Sequence, residues 1–307
     1  MPLSTAERLF AAEGIAASLR IDGRDPLDAR TVELETGVIL QASGSCRARV
    51  HRGSQVLVGA KVAIETLDGA SLGAGTSTGL GAALGQGGGR IVCQVVCDPS
   101  VAATGGGRCG AGSGRPVDDL TGECGQRLSE LLNSAASGID LASLVVIPHR
   151  VGWTVYVDVL VLDLGGNLFD VVLLATKGAL CNLRMPRATV LSVDGKQDYD
   201  ISSHETERLR GAEAIPLAVT CYRVGRRFVI DPTLEEEDCS DLSLAIAVNA
   251  AGQVCYMSKS GNGASHGSLI KTMMAFATRR VPELLRVADH CILQQGTRTR
   301  AIQGFKV

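Results

Sequence analysis

The stretch VGWTVYVDVLVLDLGGNLFDVVLLATKGALCNLRMP, residues 151–186, is the most apolar long segment of the chain, and its reading decides the fold. Val151, Trp153, Val155, Val157, Val159 and Val161 share one face of a strand, and Thr154, Tyr156 and Asp158 share the other until Leu160 and Leu162 make both faces apolar. Such a strand is buried more deeply at its end. Gly165, Gly166 and Asn167 then make a turn, and Asp170 is placed to cap a helix over residues 171–183. Apolar residues run almost right round that helix, which places it between layers rather than on a surface. Pro186 limits its C-terminal end, so the organising unit is strand, glycine-rich turn and central helix.

Around this unit, 307 residues are enough to bury a sizeable core as one large domain or two modest ones. Aromatic residues are only 3% of the chain, so the core is built from Val, Leu, Ile and Ala, and aromatic stacking platforms for bases are few. The net charge of -2 supplies no overall basic field, which leaves nucleic-acid contact to local patches or to a larger assembly. Ten cysteines without an apolar leader read as reduced thiols of an intracellular protein. Cys93 and Cys97 lie in the apolar run IVCQVVC, where small buried side chains explain them better than a metal does, and no metal or other cofactor is expected. No apolar run is long enough to cross a bilayer as a helix, so no membrane partner is expected.

Taken in order, Ser4 and Glu7 have capping-box spacing for a helix over residues 5–13. The polar, turn-rich residues 20–30 deliver the chain into strands near 31–34, 45–50 and 55–64, which pair as an antiparallel meander. Residues 68–89 are Gly, Ala, Ser and Thr with little to bury and read as a mobile loop; residues 90–97 return as a strand. A second glycine-rich loop, 104–114, holds Arg108, with Arg115 at its exit, and leads into an amphipathic helix through Leu120, Cys124, Leu128 and Leu131. In the second half, residues 190–193 and 199–201 flank the hairpin signal Asp194-Gly195, and strands at 217–224, 228–230, 242–248 and 253–259 precede a final helix from near Ser268, with Pro282 starting or kinking a last segment. Mixed strands with segregated helices make the fold class α+β.

Several strings suggest chemistry. Gly263-Ala264-Ser265-His266-Gly267 matches the nucleophile-elbow pattern, but the residues before it separate strand from turn, and Asp289 and His290 are adjacent on one helical segment; a loop ending in a helix cap explains it better. Gly110 to Gly114 lack the lysine and hydroxyl that end a phosphate-binding loop. Glu235, Glu236, Glu237 and Asp238 read as an acidic surface loop rather than a cation site, and Arg226-Arg227 and Arg279-Arg280 read as solvated faces.

Four ordered stretches carry a further signal: RIDGRDPLDARTVELETGV at 20–38, WTVYVDVLVLDLGGNLFD at 153–170, NLRMPR at 182–187 and VIDPTLEEEDCSDLSLAIAV at 229–248. Together they resemble the RNase PH family, and within it the ring subunits of the eukaryotic RNA exosome. The loose segment at 68–89 is the main departure. The resemblance implies an RNase PH-like fold of two sheet-and-helix halves of the ribosomal protein S5 domain 2-like kind, with an N-terminal half over residues 1–190 and a C-terminal half over 191–307. It implies descent from a phosphorolytic nuclease, in which phosphate attacks the last phosphodiester at an RNA 3′ end. That reaction needs a cationic clamp and an anionic pair for a metal or a proton.

In active members the turn after the organising strand reads like D-G-G-T-R; here Asn167 is the one remaining side-chain donor, Leu168 stands at the threonine and Phe169 at the arginine. Of the two aspartates near the strand at 242–248, Glu237 and Ser243 hold the places, and a shifted register that offers Asp241 turns the strand's apolar face outward. The resemblance therefore implies a non-catalytic subunit that pairs through sheet edges and helices. Its implied partners are other RNase PH-like ring subunits, RNA-binding cap proteins, associated hydrolytic nucleases and RNA in the channel. Arg108, Arg115 and Arg127 are the arginines placed to touch that RNA, and the nucleus, nucleolus and cytoplasm are the expected compartments. Two other readings are an active phosphate-dependent exoribonuclease and a hydrolase using Ser265.

Overall fold

The computed structural model describes residues 3–66, 89–104, 116–193, 196–264, 266–293 and 300–302. Arg108, Arg115, Asp194, Gly195, Ser265 and nearly all of the two glycine-rich segments lie outside the described residues. In chain order the helices are α1 (Thr5–Ala16), α2 (Pro99–Thr104), α3 (Val117–Leu132), α4 (Leu168–Cys181), α5 (Leu234–Asp238) and α6 (Gly267–Leu293). The strands are β1 (Val32–Thr36), β2 (Gly44–Val50), β3 (Gln55–Thr66), β4 (Arg90–Cys97), β5 (Val145–Ile147), β6 (Val151–Asp163), β7 (Arg184–Val193), β8 (Lys196–Arg208), β9 (Leu217–Val224), β10 (Arg227–Ile230), β11 (Leu242–Val248), β12 (Val254–Ser260) and β13 (Arg300–Ile302).

The first sheet has the order β13-β1-β2-β3-β6-β4, with β5 also on β6, and the second has the order β10-β9-β11-β12. The expected meander is β1, β2 and β3, antiparallel throughout. β6 lies between β3 and β4, antiparallel to the first and parallel to the second, and its predicted inner face from Val151 to Val161 is buried. That face meets α4, which packs on β2 and β3 on one side and on β9 on the other. α3 covers β4, and α6 closes the far side of the second sheet against β9 and β11. The layers are therefore sheet, helix, sheet, helix, as an α+β chain with one all-round apolar helix requires. β7 and β8 form a separate ribbon, and the boundary read at residue 190 falls inside β7.

Two expectations are corrected at the central helix, its start at residue 171 and its end at residue 183, since α4 spans Leu168–Cys181. α4 begins at Leu168 rather than after Asp170, because Asn167, in the left-handed region at φ 53°, is the N-cap. Every residue of α4 other than Asp170 and Cys181 is buried, Lys177 included. A buried ammonium needs partners. Lys177 Nζ donates to the carbonyls of Glu213 at 2.8 Å and Ile215 at 2.9 Å and pairs with Asp289 at 3.0 Å. Close packing of α4 on β2 needs Gly44, where a Cβ would fall 2.4 Å from the Ala179 carbonyl oxygen. α1 keeps its predicted capping box but runs past Gly14 to Ala16, and α6 carries Pro282 inside it without ending.

A third correction concerns charge. The acidic run is not a surface loop: it forms α5, capped by Thr233 and Glu236, with Glu236 and Glu237 buried. Residues 20–30 are likewise a clasp rather than a mere lead-in. Arg20 has a fully buried side chain that donates through Nε and Nη2 to Glu236 and through its other donors to the carbonyls of Asp28, Ile230 and Asp231. Arg30 pairs with Asp231 at 2.7 Å and reaches the carbonyls of Gly165 and Pro232, while Arg24 joins Asp22 to Asp231. Three guanidinium forks thus tie an N-terminal arm to the stretch between β10 and α5.

Arg20→Met leaves the Glu236 carboxylate buried and unpaired, so chemical denaturation should show a loss of about 3–5 kcal/mol, and the Arg20→Met/Glu236→Met pair should recover part of it. A single-variant loss below about 1 kcal/mol would show that the clasp does not hold the halves together.

Candidate functional site

The turn between β6 and α4 is fixed from both sides before any reactive group is considered. Ser54 Oγ accepts from Gly165 N at 3.0 Å and donates to the Gly166 carbonyl at 2.7 Å. Gly166 has φ 90°, and a Cβ there would lie 2.4 Å from the Pro232 carbonyl oxygen, so only glycine fits between β6 and the start of α5. Asn167 completes the turn in the left-handed conformation, which Asn tolerates better than most residues. The N-terminus of a buried helix is thereby aimed at α5 and β9.

What meets it is a carboxylate. Glu237, 7% exposed, accepts from the backbone N–H of Asn167 at 3.3 Å through Oε2 and from the Tyr222 hydroxyl at 3.2 Å through Oε1. Burial raises its pKa to about 7, against the lowering by the Asn167 N–H and the Tyr222 hydroxyl. Asp170 in the first turn accepts from Thr220 N at 2.8 Å and Thr220 Oγ1 at 2.6 Å, and burial pushes it up to about 6. Its place in the first turn suits a negative charge, although it is not the cap. The Asn167 side chain does no capping either: Nδ2 reaches Asp231 at 3.5 Å, and Oδ1 is buried without a hydrogen bond among the described residues.

Arg127, Leu168, Phe169, Glu237 and Ser243, named from sequence, line one cavity of about 50 Å³ together with Tyr222. Asn167 is not in that lining: its N–H reaches Glu237, and the residue lines a separate cavity with Arg30, Asp170 and Asp231. Asp241 is not part of the lining and pairs instead with Arg223 at 3.3 Å, so Glu237 and Ser243 are the positions facing the helix start. Sequence reasoning missed Tyr222, which sits in a strand buried along nearly its whole length and carries no local signal, and Thr220 on the same strand. Ser243 stands opposite Ser260 on β12 and Tyr222 on β9, which puts a neutral hydroxyl where a second carboxylate was sought.

The electrostatics follow from these assignments. Arg127 is engaged by Glu123 one helical turn away, and Arg20, Arg24 and Arg30 are committed to Asp22, Asp231 and Glu236. Leu168 and Phe169 contribute no side-chain donor, so a phosphoryl group entering the cavity meets apolar surface, two carboxyl groups and neutral hydroxyls, with Arg127 already paired to Glu123. The donor set does not fit the divalent metal that the family resemblance implies. A hard cation takes six or more oxygens, mostly carboxylate and water; here one carboxylate is already occupied by two protein donors, beside a neutral serine.

Glu237 binds its proton more tightly folded than unfolded, so its contribution to stability is full below the ordinary value of 4.5 and is lost as pH rises towards about 7. Each unit inside that window costs up to about 1.4 kcal/mol. Glu237→Gln should therefore gain stability relative to the parent chain between pH 5 and pH 8, read as a denaturation midpoint difference that grows with pH. A difference independent of pH would remove Glu237 from that role.

Residues 28–186 match the 3′ exoribonuclease family RNase PH, domain 1, and residues 214–280 match domain 2 of the same family. An exosome complex component Rrp42 from Methanopyrus kandleri is 30% identical over 286 residues, covering 92% of this chain and 96% of the relative. A Dictyostelium discoideum protein provisionally named exosome complex exonuclease RRP42 is 27% identical, covering 94% of this chain and 97% of the relative. A chain in a solved structure of the Archaeoglobus fulgidus exosome with RNA bound to the active site superposes with a TM-score of 0.70 at 23% identity, covering 92% and 97% of the two chains, and shares the fold. With both domains matched in order and the organising strand, turn and helix inside the first, the chain belongs to the RNase PH family of 3′ exoribonucleases.

Proposed function

We propose that this chain is a non-catalytic subunit of a eukaryotic RNA exosome ring, which shapes the complex and its RNA channel for 3′-to-5′ processing and decay. The observation that carries the reading is the Glu237 carboxylate seated on the N–H of Asn167, with Leu168 and Phe169 beside it. Phosphorolysis requires an anion to be welcomed and then stabilised as charge develops. This cavity offers a buried carboxyl group that holds its proton up to about pH 7, two hydrocarbon side chains and neutral hydroxyls, with the described arginines nearby already paired. The similarity to Rrp42 proteins along nearly the whole chain supports membership of an exosome. The partners of this role are other RNase PH-like ring subunits, RNA-binding cap proteins and associated hydrolytic nucleases, in the nucleus, nucleolus and cytoplasm.

Arg127 lines the degenerate cavity, tied to Glu123, and in this reading it supplies, with Arg108 and Arg115, local positive charge to RNA in the channel. Such contacts are to phosphate and carry no sequence preference.

A uniformly labelled RNA, incubated with the purified chain, magnesium and phosphate, should release no labelled nucleoside diphosphate. Phosphate-dependent release that Glu237→Gln abolishes would instead establish an active exoribonuclease. Arg108→Glu/Arg115→Glu/Arg127→Glu in the intact assembly should weaken RNA binding severalfold at low salt and flatten its dependence on salt; unchanged protection of RNA would remove these arginines from the path.

A further inference from the structure

A second cavity beside α4, of about 70 Å³, shares no lining residue with the one at Phe169. Its walls are hydrocarbon: Val32 and Val50 from the first sheet, Leu174 from α4, Val219 from β9 and Leu284 from α6. Its polar groups are Arg30, Asp231, Asn167 and Asp170, and they adjoin one another, since Arg30 pairs with Asp231 and the Asn167 side chain reaches both Asp231 and Asp170.

The hydrogen bonds of these four groups leave a particular deficit. Arg30 spends its guanidinium on Asp231 and on the carbonyls of Arg52, Gly165 and Pro232, and Asp231 accepts from Arg30, Arg24 and Asn167. Both are satisfied. Asn167 is 5% exposed, yet its Oδ1 accepts nothing among the described residues. Half-buried Asp170 accepts one bond at each carboxylate oxygen, from Thr220 N and Thr220 Oγ1, and forms no ion pair among the described residues. Each of those oxygens has room for a second donor. In the clasp Arg20 is matched by Glu236, Arg24 by Asp22 and Arg30 by Asp231, so the charge on Asp170 has no counterpart. Burial pushes Asp170 up to about 6, which leaves it ionised at neutral pH. An orphan buried acceptor and a lone carboxylate each cost free energy until a donor and a cation reach them.

We propose that this cavity binds a small aliphatic primary amine in its ammonium form, with the head on Asp170 and Asn167 Oδ1 and the carbon chain along Leu174, Val219 and Leu284. An ammonium carries three donors and no acceptor, which suits two acceptor groups with no free donor beside them. An anion meets uncompensated negative charge there. An alcohol satisfies Asn167 but leaves Asp170 without a counter-charge, and water satisfies the polar groups but finds no partners along the hydrocarbon walls. Apolar walls with a few convergent polar groups are the general form of a small-ligand site. The volume of about 70 Å³ holds a head and about three carbons. Nothing in this site depends on the ring-subunit reading.

The test titrates the full-length chain, labelled at its Leu and Val methyl groups, with n-propylammonium chloride at neutral pH and follows it by NMR. The methyl resonances of Leu174, Val219 and Leu284 should shift saturably with a Kd of about 1–10 mM, as suits so small a ligand, while those of Val254 on β12 stay in place. Size-matched n-propanol should bind about fivefold more weakly, and sodium propionate and sodium chloride should give no saturable shift. Asp170→Asn keeps the shape and removes the charge, so it should weaken the amine about tenfold and leave the alcohol unchanged. The proposal is overturned by the absence of a saturable amine shift below about 100 mM, which leaves the cavity to water. It is overturned equally by propanol or sodium ion binding as tightly as the amine, or by a folded Asp170→Asn chain that keeps its amine affinity. If that variant does not fold, the comparison of amine, alcohol, carboxylate and sodium on the parent chain decides.

Discussion

Helix α4 is surrounded by protein, and that one constraint propagates through the rest of the chain. A helix with no watered side must find protein partners for each polar group it carries and for the N–H groups at its start. Lys177 is answered by two carbonyls and Asp289, Asp170 by Thr220, and the N-cap N–H by Glu237. Those answers come from elements far apart in sequence: the loop before β9, the strand β9, α5 and α6. The helix therefore sets the position of four elements of the second half, and the first sheet sets the position of the helix.

The same constraint explains why the cavity near Phe169 is chemically quiet. In an enclosed site an anion cannot be shared between a bound phosphate and a carboxylate without a strong cationic counterweight. The nearest described guanidinium groups are spent elsewhere, on architecture. Arg30 and Arg24 hold Asp231, Arg20 holds Glu236, and Arg127 holds Glu123. Charge near the cavity thus supports the fold, whereas catalysis needs charge left uncommitted until a substrate arrives.

How far this was legible in the sequence depended on range. Alternation from Val151 to Val161 fixed a strand and its buried face, and the meander and the second-half strands followed from apolar runs bounded by turn residues. Leu168, Phe169, Glu237 and Ser243 were placed together through the family resemblance, and they do share a cavity. The start of α4 was misread because Asp170 has a capping side chain, whereas Asn167 caps by backbone conformation, which residue type alone does not reveal. The acidic run was misread as an exposed loop, and the arm at residues 20–30 as a mere lead-in, for one reason. Each is buried only because the other is there, and the partners Arg20 and Glu236 are separated by 216 positions. Local patterns carry no sign of such an exchange.

The clasp also changes what counts as a half of this molecule. Matched as domains, the chain divides into residues 28–186 and 214–280, yet Arg20 and Arg24 lie before the first of these while their partners Asp231 and Glu236 lie inside the second. The opening arm is thus a piece of the C-terminal unit made at the other end of the chain. During synthesis it waits for its partners until more than two hundred residues have followed, and Arg20 and Arg24 have no counter-charge from Glu236 and Asp231 until β10 and α5 are made. The C-terminal unit is consequently begun before the N-terminal one and finished after it.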